Sequence, residues 1–373
     1  MAKTELCTRQ VCFIMFAYSA AGKLLMMPAM LSYYCGNDLV FPALVIFALQ
    51  TAVVWSVAYL CTKTDKTLFC LAEAAFGRVF SKILQWLFAL FFCAAALLPM
   101  LAQKLFVQYI FYDTIPALIT FVPFFAFSVY VGAKGLRNAG RVADIAMPVF
   151  ALCFAVLAVM SVGECNLSWL LPVLKTPAEG LFTGARSALY NFADGAVMLM
   201  FMGRFRCNRG DCAKVTISYA AAGVGVMLFL ALFYGIYSTL SPDRYFAISQ
   251  TALFFGPLSL VGRLDLLAVY GVEACMLFAL VLYIQLCVTC VCGALSKEQT
   301  LGRNVRPAAA VSSLVVNAVL LALVIAFNDG YLVVQEFYGR FLWVAFVLFA
   351  FVLPPLAWAL YAVRLRTKRR RGT

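Results

Sequence analysis

The sequence predicts an all-α integral membrane protein of about ten transmembrane helices, arranged as two five-span halves of opposite topology. Three observations predict it. Hydrophobic residues fill 65% of the 373 positions and charged residues 12%, against about 45–50% and 25% in a soluble domain. Apolar runs long enough to cross a bilayer, about 20 residues each, recur between short polar breaks. Lys and Arg gather on alternate breaks.

Taken in order, the runs place spans at about 9–34, 38–61, 83–111, 114–131, 142–162, 187–203, 213–239, 265–292, 308–327 and 340–363. No small-residue cleavage site follows the first apolar run, so span 1 is expected to be retained rather than removed as a signal peptide. Between spans 2 and 3 lies an amphipathic stretch, LFCLAEAAFGR. The connection between spans 7 and 8, Leu240–Arg263, is also long and semi-apolar, and it holds the matching place in the second half. Pro354-Pro355 is expected to kink span 10. The chain reads as one polytopic domain over 1–373, with halves at about 9–162 and 187–363 and a basic tail at 364–373.

Charge sets the sidedness. With the N-terminus inside, the cytoplasmic segments hold Lys63, Lys66, Arg78 and Lys82, then Lys134, Arg137 and Arg141, then Arg204, Arg206, Arg209 and Lys214, and finally the tail RLRTKRRR. The outer segments hold only Lys175, Arg186, Arg244, Arg263 and Arg340. Both termini are therefore expected in the cytoplasm. The tail reads as an anchor beside anionic lipid, not as a nucleic-acid contact.

Composition also excludes chemistries. The chain has no histidine, so His-based general bases, catalytic triads and His-ligated zinc are out. The 14 cysteines are scattered. The clusters Cys207–Cys212 and Cys287–Cys290–Cys292 lack paired CxxC spacing, so neither a metal site nor a cofactor is expected. Loops are short and carry no acid cluster, which argues against a membrane enzyme.

Two spans carry unusual residues at matching positions. Span 1 runs Ser19-Ala20-Ala21-Gly22, then Lys23 and Pro28; the middle of span 6 holds Asn191, Phe192, Asp194 and Gly195. Buried charges are expensive in a bilayer, and non-helical backbone survives there only beside a cavity. Broken helices would expose N–H groups of Gly22, Lys23 and Leu24 to a ligand carboxylate. They would expose carbonyls near Tyr18–Ala20 and Asn191–Ala193 to an ammonium. Tyr190 and Phe192 are candidates to close over a ligand. Two pairings are expected among the intramembrane charges, Lys23 with Asp194 and Lys104 with Glu273; separate hydration in a vestibule is the alternative. The Lys23 ammonium is also a candidate to stand where a coupling sodium ion would sit.

Arg9-Gln10 at the start of span 1, Gly22 with Leu24-Leu25 and Pro28, the ten spans, and Gly262-Arg263-Leu264-Asp265-Leu266-Leu267 leading into span 8 resemble the B-subunit (endospore germination permease) family of spore germinant receptors. That family is a branch of the amino acid–polyamine–organocation transporter superfamily. The resemblance implies a LeuT-type five-plus-five fold with broken helices 1 and 6 and a ligand site between spans 1, 3, 6 and 8. It implies sensing of a small germinant, commonly an amino acid, in the spore inner membrane, with a larger A-subunit and a lipoprotein C-subunit as partners. The chain departs from the family pattern at Lys23, where a small or polar residue is usual, and Asp194 lies two residues from the expected acid. The alternative function is a proton-coupled secondary transporter for an amino acid or amine in the cell membrane.

Overall fold

The computed structural model describes residues 5–111, 117–253, 264–295, 306–328 and 330–371. Its helices are α1 (Thr8–Ala21), α2 (Met27–Cys35), α3 (Val40–Cys61), α4 (Leu68–Phe76), α5 (Arg78–Phe111), α6 (Ala117–Lys134), α7 (Leu136–Val162) and α8 (Ala178–Ala188). They continue with α9 (Asp194–Phe201), α10 (Arg209–Tyr237), α11 (Ala247–Ala252), α12 (Leu264–Leu295), α13 (Arg306–Ala326), α14 (Tyr331–Phe337), α15 (Trp343–Val347) and α16 (Leu353–Arg371). Among the described residues the one extended pairing is a parallel bridge between Leu6 and Phe205.

Among the described residues seven helices are long and apolar enough to cross a bilayer, and they answer seven of the expected spans. Span 4 corresponds to the shorter α6. Spans 1 and 6 are each split, into α1 and α2 and into α8 and α9, with the chain leaving the helix at residues 22–26 and 189–193. The amphipathic stretch between spans 2 and 3 forms α4, capped by the Thr67 hydroxyl accepting from the Cys70 N–H at 3.3 Å. The Gly262-Arg263 step lies outside the described residues.

Two expected boundaries are corrected. Helix α8 starts at Ala178, nine residues before the expected span 6, because Glu179 and Arg186 make that stretch look like a loop. The last span opens at Tyr331 rather than 340, because Gln335, Glu336 and Arg340 mask its start. Between α14 and α16 the helix widens twice into π turns, Tyr338–Leu342 and Leu348–Val352. Such turns often mark functional sites.

Helix α12 is the hub. It packs on α5, α7, α1 and α13, and most of its apolar length is buried. Helix α7 is peripheral, with Ile145, Leu152 and Val159 exposed at seven-residue spacing. An apolar stripe two turns apart on one face suits acyl chains. The core beside α5 and the last span is a ring cluster, with Phe91 and Phe349 stacked at 4.6 Å and Phe88 edge-on to Phe349 at 5.0 Å.

Candidate functional site: two broken helices joined by a buried ion pair

The two breaks face each other. Lys23 Nζ donates to both Asp194 carboxylate oxygens, at 3.1 Å and 3.0 Å. Both side chains are essentially sealed from solvent, at 2% and 0% exposure. The same ammonium donates to the Ser19 carbonyl at 3.0 Å and to its hydroxyl at 3.3 Å. Tyr219 on α10 donates its hydroxyl to Asp194 Oδ2 at 3.1 Å. Aromatic faces close the remaining sides, with Phe192 4.7 Å and Phe47 5.2 Å from Nζ. A cation over an aromatic face is attracted most strongly where water is excluded. The chain thus carries its own ammonium in the place where a ligand amine was expected.

The other intramembrane charges are not joined. Lys104 Nζ donates to the Asn328 carbonyl at 2.6 Å and to its side-chain oxygen at 2.8 Å, and Glu273 is buried with Oε1 lacking a hydrogen-bond partner. The two side chains were matched by depth along their helices, but depth does not fix the direction in which a side chain leaves its helix.

The break in span 1 differs from expectation in a second way. The N–H groups of Gly22, Lys23 and Leu24 are already taken by the carbonyls of Tyr18, Ala20 and Ala21. Gly22 has ordinary helical torsions, φ −62° and ψ −16°, and a Cβ there would make only a 3.5 Å contact. In the first turn of α2, which opens at Met27, Pro28 has no N–H and the Met30 N–H is taken by the Met26 carbonyl at 3.1 Å, so only Met27 and Ala29 keep donors without a backbone partner.

Gly195 is the glycine that close packing demands. A Cβ on it would collide with the Ala350 carbonyl oxygen. That carbonyl is exposed for a covalent reason. Its i+4 and i+5 neighbours, which would donate to it in an α or π turn, are Pro354 and Pro355, and proline has no N–H. Gln50 on α3 fills the gap. Its Nε2 lies 3.5 Å from the Ala350 oxygen and 3.3 Å from the Phe192 oxygen, and its Oε1 accepts from the Gly195 N–H at 3.0 Å. One carboxamide therefore stitches α3, the start of α9 and the last span.

Beside the ion pair lies a cavity of about 50 Å³, lined by residues of both breaks, including Gly22, Met26, Tyr190 and Asn191, and by Gln103, Met276 and Tyr283. Gln103 is 2% exposed, and its Nε2 has no hydrogen-bond partner. Across its wall, Tyr18 and Tyr283 join their hydroxyls. Asn191, which also lines the cavity, donates to the Ala188 carbonyl at 3.3 Å. A wider vestibule of about 690 Å³ adjoins it, lined by Arg186, Glu336 and Arg340 among others. Met26, Tyr190 and Tyr331 line both spaces and form the layer between them.

The opposite end is shut. Arg9 and Gln10 hold Asp144 at 3.1 Å and 3.0 Å. Arg204 holds Glu5 at 3.1 Å, and its carbonyl accepts from the Glu5 and Leu6 N–H groups. Arg9 is 69% exposed, so its pair contributes about 0–1 kcal/mol, weak enough to open.

Ser19, Lys23, Phe192 and Asp194 thus meet at the ion pair, Gly195 bonds Gln50 beside it, Gly22 and Asn191 border the cavity and Leu24 is fully buried in the core. Sequence reasoning missed Gln50, Gln103 and Tyr219. The signal for Gln50 was a lone amide in an apolar 22-residue helix.

Two discontinuous helices packed face to face beside a small cavity define a transporter-type membrane protein of the LeuT-like fold class. Among solved structures, Mhp1, a nucleobase-cation-symport-1 family transporter in a closed conformation with bromovinylhydantoin bound, is similar at a TM-score of 0.56 and 14% identity, with 91% of this chain and 79% of that chain covered. At that identity the likeness shows the fold alone. Residues 5–329 match the spore germination protein (Spore_permease) family, and the chain belongs to that family. No curated protein matches.

Proposed function

We propose that this chain is the membrane-embedded germinant receptor subunit that binds a small molecule, an amino acid, in the cavity between its broken helices during spore germination. The observation that carries the reading is the Gln103 amide, buried without a partner at the wall of the cavity. An unmade buried hydrogen bond costs about 1–3 kcal/mol, so a ligand oxygen that takes it is favoured. The Asn191 oxygen suits an ammonium, and Leu98 and Met276 suit an apolar side chain. The ligand enters by the vestibule, and the Met26, Tyr190 and Tyr331 layer moves to admit it. Ligand binding then biases the protein between states that bind it differently, and A- and C-type receptor subunits read the change. The chain sits in the spore inner membrane with both termini in the cytoplasm and its two halves, about 9–162 and 187–363, inverted.

A second reading, a proton-coupled amino acid or amine transporter, is favoured by one observation: a wide vestibule at one end and ion pairs closing the other are what alternating access requires. The test separates them. Purified protein is offered labelled amino acids for binding, and for uptake into proteoliposomes with an imposed proton gradient. Saturable binding without accumulation supports the receptor, and gradient-driven accumulation supports the transporter. Failure of every amino acid to bind refutes an amino acid as the ligand in either reading.

A further inference from the structure

A second cavity lies away from the central site. It is a groove of about 480 Å³ between α6, α7 and α12. Every lining residue is apolar, with Phe121, Phe124, Phe127 and Val131 on α6 facing Phe278 and Val281 on α12. From Phe121 to Val131 the α6 wall rises about 15 Å at 1.5 Å per residue, which is half of a hydrocarbon core about 30 Å thick. The groove is therefore one leaflet deep. It offers no polar partner to a peptide or a soluble metabolite.

The end at Val131 is basic. Lys134 lies one turn beyond Val131 on the same face of α6, its ammonium 5.0 Å from the Tyr130 ring. Arg137 and Arg141 stand one turn apart at the start of α7, next to the lining residues Ala139 and Val142. All three cations are exposed. Among the described residues no carboxylate lies within ion-pair distance of any of them. The nearby acid of α7, Asp144, is already engaged by Arg9 and Gln10. An apolar slot one leaflet deep that ends at three exposed cations matches an acyl chain that ends in a phosphate.

We propose that this groove is an anionic-phospholipid site, holding one acyl chain with its phosphate on Lys134, Arg137 and Arg141. Each cation near a membrane surface favours an anionic lipid several-fold, so the set selects phosphatidylglycerol over phosphatidylcholine by on the order of tenfold or more. Salt weakens that preference.

The test is native mass spectrometry of the purified full chain equilibrated with equal amounts of phosphatidylglycerol and phosphatidylcholine. Wild type retains phosphatidylglycerol selectively. The triple variant Lys134→Gln/Arg137→Gln/Arg141→Gln loses the preference to under about twofold. Ala274→Trp, which fills the groove from its exposed rim, lowers retention of both lipids while leaving the charges in place. Unfolding midpoints in phosphatidylcholine micelles confirm that each variant is folded. Equal retention of the two lipids by wild type overturns the proposal. So does a preference that survives the triple variant, or retention unchanged by Ala274→Trp. A lipid-free dimer that Ala274→Trp dissociates assigns the groove instead to a second copy of this chain.

Discussion

Replacing Asp194 by Asn isolates the buried ion pair. The change keeps the side chain's size and one acceptor oxygen, but it removes the charge facing Lys23. The ammonium then retains only neutral acceptors, Ser19 and the new amide, inside a site with 0–2% exposure. Removing one partner of a buried pair costs about 3–5 kcal/mol. At 1.36 kcal/mol per decade that is roughly a 150- to 5,000-fold change in the folding equilibrium. The Tyr219 hydroxyl keeps an acceptor, so its bond adds little to the loss. Lys23→Met/Asp194→Asn removes both charges and leaves an apolar chain beside Phe47 and Phe192, so it recovers most of the stability. The assay is the unfolding midpoint of each variant in one detergent, analysed as a double-mutant cycle. A single Asp194→Asn within about 1 kcal/mol of wild type, or a double variant no more stable than that single, refutes the reasoning.

Other outcomes follow from neighbouring contacts. Gln50→Leu strands the Gly195 N–H and the Ala350 carbonyl and destabilises by about 2–4 kcal/mol, read as a lowered unfolding midpoint. Gly195→Ala drives a methyl into the Ala350 carbonyl and costs about 1–3 kcal/mol or more, whereas Gly22→Ala stays within about 0.5 kcal/mol of wild type on the same assay. Gln103→Leu removes the free donor and weakens binding of an amino acid carrying a carboxylate by about tenfold, with the fold unchanged; equal binding by wild type and variant assigns recognition elsewhere. Two residues ahead of α3, which opens at Val40, burial pushes the Asp38 carboxyl up, but the N–H groups of Thr176 and Leu174 outweigh it and hold the group below the usual carboxylate range. The unfolded chain, with Asp near pH 3.9, then binds the proton first. Stability falls as pH drops from about 5 towards the lowered value. Asp38→Asn is less stable at pH 7 and shows a shallower acid limb in unfolding.

Much of this was legible in the sequence. Hydrophobic runs and loop charges located the spans, since a bilayer imposes both length and sign. Lys23 and Asp194 stood out because an unpaired charge at that depth is untenable, and each lay beside small or polar residues in the corresponding span. What stayed hidden depended on orientation. Gln50 is the single amide of α3 and Gln103 one of three in α5, and only packing reveals that one is fully bonded and the other is not. The pairing of Lys104 with Glu273 failed because matched depth says nothing of azimuth. The N–H groups of Gly22, Lys23 and Leu24 were expected to be free, yet a tight turn at the end of α1 satisfies them locally. The start of the last span was lost because Gln335, Glu336 and Arg340 face a vestibule and so look like loop.

The paired prolines of the last span have a mechanical consequence. With Pro354 and Pro355 both unable to donate, the Ala350 carbonyl has no helical bond to fall back on. Gln50 holds it while holding both sides of the span 6 break. A slide of any of these three helices by one turn, about 5.4 Å, would strand polar backbone where no water replaces it. Spans 2, 6 and 10 are thereby keyed to one another at this level, like gears locked on a common tooth. Movement that exchanges access between the two faces must carry them as a unit and take up its displacement at their borders, where the contacts are ion pairs and aromatic faces rather than shared backbone bonds.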